Sequence, residues 1–221
     1  MIPLKWNRTE RMKHTLSLVH SPFVVCCSVA EFSSVTQLCP TLWDPMDCST
    51  PGLLVHHQLL VKGFSVPGKT RQLSILNGLR DIDEFLRTEN VEDPVVIIHD
   101  AARPNLTAEF VDRCLDALTG YDGVMPVIPM KDTVYYSEDG ISVDKLLDRS
   151  RIYAGQAPEV YRLRKYLEAN EQLLPEKIMK INGSTEPAVL AGLKVSMIPG
   201  DENNYKVTTK KDLERFESAC S

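Results

Sequence analysis

The segment His99-Asp100-Ala101-Ala102-Arg103 places an acid and a base three residues apart, directly after a run of β-branched residues. A carboxylate such as Asp100 can hold a cation or a ribose hydroxyl, and a guanidinium such as Arg103 can neutralise a phosphate. The small side chains of Ala101 and Ala102 would let a ligand approach the backbone. An equally open alternative is that Asp100 and Arg103 simply pair across a tight loop.

Two metal-dependent alternatives are not favoured. His99-Asp100 is also the dyad of metal-dependent phosphohydrolases, but that chemistry needs more histidines, and residues 64–221 contain only His99. Structural zinc sites have two closely spaced ligand pairs. The candidates in the first part of the chain do not match this pattern, because two cysteines are nine residues apart and two histidines are adjacent: Cys39, Cys48, His56 and His57.

Alternating helices and strands are predicted around the Asp100 segment. Residues 71–87 place apolar side chains at spacings of three and four, which predicts an amphipathic helix. Residues 95–98 and 124–128 are continuous apolar runs, typical of buried parallel strands. Between them, Thr107 can cap a helix that Gly120 ends. This order predicts an α/β fold with a doubly wound, mostly parallel sheet, which binds ligands at the carboxyl ends of its strands.

A β-hairpin is predicted after the second strand. Residues 133–136 and 141–147 flank Asp139-Gly140, which is a strong signal for a tight turn. A hairpin inserted in an α/β domain is often an arm that reaches a partner, and we place this arm at about residues 133–153. Further elements are predicted as a helix at 161–173, a strand at 194–198 and a terminal helix that begins with a capping box at Thr209 and Asp212.

Composition divides the chain into two parts. The 221 residues carry a net charge of −5, which does not favour nucleic acid as a partner, and no apolar run is long enough to span a membrane. Residues 1–63 carry five basic and four acidic side chains, whereas the remainder carries 20 and 26. Four of the six cysteines also lie in the first part. We therefore expect residues 1–63 and 64–221 to have separate origins.

The first part is predicted to be a disordered leader. Residues 1–30 have the outline of a secretory signal, but His20 and Pro22 interrupt its apolar stretch. Residues 33–60 resemble a translated ruminant short interspersed repeat, in which CPTL.DPMDCSTPG..VHHQL is a recurring product. Free thiols and the poor signal favour the cytoplasm, with secretion as the alternative.

The second part resembles a known enzyme family from about Gly68 to Ser218. Its motifs follow the family's order: RQLSI at 71–75, VIIHDAARP at 96–104, DTV at 132–134, DR at 148–149, GQAP at 155–158, STE at 184–186 and NYKVT at 204–208. They resemble the motifs of the 2-C-methyl-D-erythritol 4-phosphate cytidylyltransferases and of the related D-ribitol-5-phosphate cytidylyltransferases.

This resemblance implies a Rossmann-like nucleotidyltransferase in which a polyol phosphate attacks CTP, releasing pyrophosphate and leaving a CDP-polyol. It implies CTP contacts from Arg71, Ser74, Ala101 and Arg103. The implied catalytic residues are Asp100, Arg149 and Lys206, and the implied substrate contacts are Asp100, Thr133, Arg149 and Thr185. It also implies Mg²⁺ at Asp100 and a homodimer in which the arm carries Arg149 to the partner's site.

The sequence departs from the family in two places. The family begins with a strand and a glycine-rich loop that cradles the triphosphate through backbone N–H groups, and residues 1–67 contain no such motif. We therefore expect the first strand and the phosphate loop to be lacking. Ala157 also stands where the family usually has Thr, which removes one substrate hydrogen bond.

Two alternatives to a working enzyme follow from these departures. One is a truncated, non-catalytic remnant that still dimerises through its arm. The other is a gene model that joins two unrelated parts. The choice of substrate also stays open. The sequence of residues 153–156, YAGQ, is closer to that of the ribitol-type enzymes, but it does not decide between the two polyol phosphates.

Overall fold

The computed structural model describes residues 23–28, 68–88, 90–100 and 102–219 of the chain. Apart from residues 23–28, the predicted leader lies outside this part, with its signal outline, its repeat-like segment and the zinc alternative. The predicted absence of a glycine-rich loop and the predicted CTP contact at Ala101 also lie outside the described residues. The boundary between residues 63 and 64 stays a prediction.

The described residues form eight strands and five α-helices. The strands are β1 (Phe23–Ser28), β2 (Val95–Asp100), β3 (Gly123–Pro129), β4 (Val134–Tyr136), β5 (Lys145–Leu147), β6 (Tyr153–Gly155), β7 (Glu159–Arg162) and β8 (Val195–Pro199). The helices are α1 (Arg71–Thr88), α2 (Ala108–Asp116), α3 (Leu163–Glu171), α4 (Glu186–Leu190) and α5 (Lys210–Ala219). Short 3₁₀ turns span Arg149–Arg151 and Lys177–Lys180. No helix in this part of the chain is both long and apolar enough to cross a membrane.

The main sheet confirms the α/β class and corrects its strand pairing. Its order is β1-β2-β7-β3-β6, with β8 paired to β3. β1 runs parallel to β2 and β8 runs parallel to β3, but β7 lies between β2 and β3 and is antiparallel to both. The strands of the predicted β-α-β unit therefore point the same way without being neighbours. The sheet is mixed, since β6 is also antiparallel to β3.

The expectation that the first strand is lacking is wrong. Phe23–Ser28 forms β1, which pairs in parallel with the whole of β2 and places Ser28 opposite Asp100. The segment FVVCCS follows a proline, and its first five residues form a short, continuous apolar run that includes Val24 and Val25. This pattern is typical of a buried parallel strand as well as of a signal's apolar region.

The core lies between the sheet and the helices on its two faces. On one face, α1 contributes Ile75, Leu79 and Leu86, which pack with Tyr161 and Tyr166. On the other face, α2 covers β2, β3 and β7 with a second cluster of buried residues: Phe110, Val111 and Cys114 against Ile97, Val124 and Val160. The apolar spacings of α1 and α2 thus indicate the faces that the structure buries.

Both predicted N-terminal helix caps are confirmed, whereas the prediction that Gly120 ends α2 is wrong, because the helix ends at Asp116 with Ala117 as its C-cap. The Thr107 side chain accepts a hydrogen bond from the Phe110 N–H at 3.2 Å and starts α2. At α5, the Asp212 N–H donates to Thr209 Oγ1, while the Thr209 N–H donates to the Asp212 carboxylate at 2.9 Å. The helix predicted for residues 161–173 is partly wrong. Glu159–Arg162 forms β7, and the helix begins at Leu163.

The predicted hairpin arm is present as β4 and β5, which pair in antiparallel register. Asp139 organises its turn by accepting from the N–H groups of Ile141 and Ser142, and Gly140 has a φ of +71°. The arm exposes several large apolar side chains: Tyr135, Tyr136, Ile141, Val143 and Leu146. It therefore presents an apolar surface that this chain does not cover within the described residues.

Candidate active site

Asp100 gathers three cationic side chains at the carboxyl end of β2. Arg71 Nη2 donates to Asp100 Oδ1 at 2.8 Å. Arg103 Nε lies 3.6 Å from Asp100 Oδ2, and Lys206 Nζ lies 3.9 Å from the same oxygen. The cations come from three separate segments: the first turn of α1, the loop after β2 and the loop before α5. The Asp100–Arg103 pair that the sequence suggested is therefore present, but it is one part of a larger cluster.

The charge of Asp100 is set by this cluster. Burial opposes ionisation of the carboxyl group, but Arg71, Lys206 and Arg103 outweigh that effect and lower its pKa. Asp100 is therefore a carboxylate at neutral pH. One carboxylate against three cations leaves a net positive site, which is the electrostatic environment that a phosphate needs.

Arg103 ties the loop after β2 to the loop before α5. Its Nη1 donates to the Asn204 carbonyl at 2.6 Å, and the Val207 N–H donates to the Ala102 carbonyl at 2.7 Å. Because Lys206 lies between these two contacts in sequence, the pairing of the loops carries its side chain toward Asp100. His99 supports the same turn, with Nε2 3.0 Å from the Arg103 carbonyl. Burial lowers the pKa of His99, so its ring is neutral at pH 7.

The loop between β6 and β7 is bonded to the loop after β8. Gln156 Nε2 donates to the Asp201 carbonyl, and the Asp201 N–H donates back to Gln156 Oε1, both at 3.0 Å. Asn204 is fully buried, and its Nδ2 donates to the Ala157 carbonyl at 2.6 Å. A Cβ at Gly200 would lie 2.3 Å from Gln156 Oε1, so a larger residue there would force the Gln156 side chain to move. The GQAP and NYKVT motifs therefore meet in space, which their sequence separation does not reveal.

Ser74, a predicted CTP contact, stabilises the start of α1. Its Oγ donates to the Thr70 carbonyl at 3.1 Å and accepts from the Gly68 N–H at 3.0 Å. The segment before α1 is thereby folded back over the first helical turn. Arg71, which precedes Ser74 by three residues, points instead to Asp100. The structure brings Arg71 into the site directly and gives Ser74 a local contact with the loop.

Thr185, a predicted substrate contact, lies beside a buried carboxylate that sequence analysis missed. Glu159 is 8% exposed and accepts from Ser184 Oγ at 2.7 Å and from Tyr161 Oη at 3.0 Å. Tyr161 Oη lies 2.9 Å from Thr185 Oγ1. Burial raises the pKa of Glu159, although Ser184, Tyr161 and Arg71 oppose the shift. No sequence signal pointed to Glu159, because an acidic residue in a short strand is read as solvent-exposed.

Thr133 and Arg149 are not brought to the Asp100 cluster. Both are exposed and belong to the arm region, and Arg149 Nη1 donates to the Lys131 carbonyl at 2.7 Å. Asp148 caps the 3₁₀ turn that carries Arg149 by accepting from the Ser150 N–H. The predicted roles of Thr133 and Arg149 therefore depend on the arm reaching another molecule, and they stay predictions.

A Mg²⁺ ion at Asp100 does not fit the described residues alone. Arg71 occupies one carboxylate oxygen, and Arg103 and Lys206 face the other. Mg²⁺ needs several hard oxygen ligands, and the described residues contain no cluster of three His, Cys, Asp or Glu side chains. No step of the reaction described below is assigned to a metal.

The mixed sheet with helices on both faces and a cationic cluster at the carboxyl end of β2 places this chain in the Rossmann-like α/β class. Solved structures share the fold. The cytidylyltransferase structure from Thermus thermophilus matches with a TM-score of 0.58 and 21% identity, over 96% of this chain and 88% of that one. The one from Francisella tularensis matches with a TM-score of 0.60 and 26% identity, over 68% of each chain.

The chain belongs to the 2-C-methyl-D-erythritol 4-phosphate cytidylyltransferase (IspD) family, whose sequence model matches residues 26–220. The cytidylyltransferase of Geotalea uraniireducens is 35% identical over 69% of this chain and 63% of its own length. The bifunctional IspD/IspF enzyme of Allorhizobium ampelinum is 34% identical over 70% of this chain and 37% of its own length. This chain thus spans less than two thirds of either relative.

Proposed function

We propose that this chain transfers CMP from CTP to a polyol phosphate and releases pyrophosphate. The observation that carries the proposal is the convergence of Arg71, Arg103 and Lys206 on Asp100. Phosphoryl and nucleotidyl transfer place little covalent demand on the protein, because catalysis consists mainly of positioning the reactants and stabilising charge. Three fixed cations beside a strand end supply both.

The reaction is an in-line substitution at the α-phosphorus. A phosphate oxygen of the polyol phosphate forms a bond to the α-phosphorus of CTP, and the bond from that phosphorus to the bridging oxygen of pyrophosphate breaks. The leaving pyrophosphate takes the electron pair. Arg71, Arg103 and Lys206 offset the repulsion between the two negatively charged phosphates, and Asp100 holds the cationic groups in place.

Two polyol phosphates are candidates for the substrate that accepts CMP. The relatives are named for 2-C-methyl-D-erythritol 4-phosphate, and this compound is therefore the first candidate. D-Ribitol 5-phosphate is the second candidate, and the spelling of residues 153–156 favours it. Both are acyclic phosphates with several hydroxyl groups, so the same charge cluster can serve either.

We also propose a homodimer in which the arm completes the site of the partner. Arg149 and Thr133 are exposed in the arm region and do not meet Asp100 within one chain. The arm also exposes five large apolar side chains that a partner surface can cover. A second copy would explain both features.

Pyrophosphate release by the purified 221-residue chain tests the proposal. The chain is given CTP, Mg²⁺ and each polyol phosphate in turn, and omission of the polyol phosphate is the control. Release that requires one polyol phosphate supports transfer and names the substrate. A chain that is folded by circular dichroism but releases none with either compound would be the non-catalytic remnant.

A further inference from the structure

Glu159 is a buried carboxylate that the reaction above does not use. It is the first residue of β7 and lies opposite Ile98, two positions before the end of β2 at Asp100. Within the described residues no cation lies within 4 Å of its carboxylate, although Arg71 acts on it from farther away. Burial of a carboxylate with only hydroxyl partners is costly. Its partners therefore indicate what the residue does.

Both oxygens of Glu159 accept from hydroxyl groups. Ser184 Oγ donates to Oε1 at 2.7 Å, and Tyr161 Oη donates to Oε2 at 3.0 Å. Ser184 precedes Thr185 at the start of α4, so the first of these bonds anchors the loop that carries Thr185. The Tyr161 hydroxyl has one proton, which faces both Glu159 Oε2 and Thr185 Oγ1.

Tyr161 passes this constraint to Thr185. The Tyr161 Oη donates to Thr185 Oγ1 at 2.9 Å, so the Thr185 oxygen is held by the same hydroxyl that bonds Glu159. The Tyr161 ring cannot turn away, because it is fully buried and stacked on Tyr166 with centroids 4.1 Å apart and planes 7° apart. The hydroxyl chain therefore runs from Thr185 through Tyr161 to Glu159.

Thr185 is the most solvent-accessible of the three hydrogen-bonded residues. Thr185 is half-buried, so a ligand can reach it, whereas Tyr161 and Glu159 are buried. Thr185 Oγ1 donates to Met125 Sδ at 3.2 Å, which commits the only proton of the Thr185 hydroxyl. An oxygen whose proton is already committed acts as an acceptor, which suits a hydroxyl group of a polyol.

We propose that Glu159 and Tyr161 form a positioning pair that fixes the Thr185 hydroxyl as an acceptor for a hydroxyl group of the polyol phosphate. This inference rests on the proposed function, since it assigns the recognition of the polyol within that site. Neither residue touches the substrate, and both act through Thr185. This arrangement favours the polyol phosphate over an analogue that lacks the hydroxyl group, because the analogue would leave the Thr185 oxygen without a hydrogen-bond donor.

Steady-state kinetics of four variants test the pair. Tyr161→Phe keeps the stacked ring and removes the hydroxyl, Thr185→Val removes the acceptor, and the double variant removes both. Glu159→Gln keeps the shape but replaces one accepting oxygen with a donor group. Each single change is expected to raise KM for the polyol phosphate about 5- to 10-fold, while KM for CTP stays within about twofold. Thr185→Ser retains the hydroxyl and is expected to restore KM.

The double variant separates positioning from a merely structural role. If Tyr161 acts through Thr185, the double variant has the same KM as Thr185→Val alone, because the second change removes nothing further. Tyr166→Phe is the comparison variant, since it removes a buried hydroxyl of the same stacked pair that bonds the Ser184 carbonyl and not the Thr185 side chain. It is expected to lower stability and to raise KM for the polyol phosphate less than Tyr161→Phe does.

The outcomes distinguish the pair from the activity itself. An absence of product from the wild-type chain overturns the proposed function and this inference with it. Normal wild-type turnover with an unchanged KM in Tyr161→Phe or Glu159→Gln overturns the pair alone. Effects of Tyr161→Phe and Thr185→Val that multiply in the double variant also overturn it.

Discussion

Arg71 Nη2 lies 2.8 Å from Asp100 Oδ1, although the two residues are 29 positions apart and belong to different elements. The contact joins the first turn of α1 to the end of β2. The ion pair is largely shielded from solvent, since the side chains of Arg71 and Asp100 are 31% and 15% exposed. This ion pair sets both the position of Arg71 and the charge of the site.

Asp100→Asn is expected to disorganise the cation cluster. The amide cannot neutralise Arg71, Arg103 and Lys206, so three positive groups repel one another and lose their fixed positions. We expect kcat/KM to fall at least about 100-fold, a size typical of the loss of a preorganised electrostatic contact. Asp116→Asn on α2, away from the cluster, is the control. Near-normal kcat/KM in Asp100→Asn would show that the cluster does not position the substrates.

Asn204→Ala is expected to destabilise the chain by about 1–3 kcal/mol, because it leaves the buried carbonyl of Ala157 without its hydrogen bond. Urea unfolding measures the change. Asn203→Ala is the matched control, since Asn203 is the exposed neighbour, and its effect is expected to stay within about 0.5 kcal/mol. Equal effects of the two changes would contradict a specific role for the Asn204 side chain.

Glu159 should give stability a distinctive pH dependence. Burial raises its pKa above the usual 4.5 despite the Ser184 and Tyr161 hydrogen bonds. A carboxyl group with a raised folded-state pKa stabilises the fold at low pH, and this contribution is lost as the pH rises from about 4.5 through the raised value.

Denaturant unfolding across pH, with Glu159→Gln beside the wild type, measures that contribution. Other groups affect both proteins equally, so the difference between the two free energies of unfolding isolates Glu159. The wild type is expected to lose stability relative to Glu159→Gln as the pH rises. Parallel curves over the whole range would show that Glu159 has the same pKa in the folded and unfolded states.

The arm should control the oligomeric state. Leu146 is 63% exposed on β5, and Leu146→Glu places a charge in the apolar surface of the arm. We expect light scattering to give twice the 24.8 kDa chain mass for the wild type and a single chain for the variant. Leu190→Glu is the matched control, because Leu190 is 61% exposed on α4, away from the arm. A wild-type monomer, or a dimer that survives Leu146→Glu, would contradict dimerisation through the arm.

Local patterns predicted the parts of the fold that local interactions determine. Thr107 caps α2 because its side chain bonds a residue three positions on, and the turn at Asp139 depends on neighbours within three residues. The β2 strand was predictable because a continuous apolar run is buried on both faces. In each case the residues that form the element are also the residues that stabilise it.

The rest of the fold depends on distant contacts. β7 has four residues and a buried Glu159, whose burial is possible only because Ser184 supplies a hydroxyl from 25 positions away. Because β7 lies between β2 and β3, these two strands are not the parallel neighbours that the sequence predicted. The cluster around Asp100 was predictable as a set of residue types from the motifs, but its geometry follows from the bond of Arg103 to the Asn204 carbonyl, which no local pattern encodes.

The most direct test of nucleotidyl transfer by this chain traces the α-phosphorus of CTP. The wild-type chain is incubated with CTP labelled at the α-phosphate, and separately with CTP labelled at the γ-phosphate, in the presence of each polyol phosphate. The α-label is expected to appear in a CDP-polyol and the γ-label in pyrophosphate, at equal rates. Label that stays in CTP, or an α-label released as CMP without any CDP-polyol, would contradict nucleotidyl transfer by this chain.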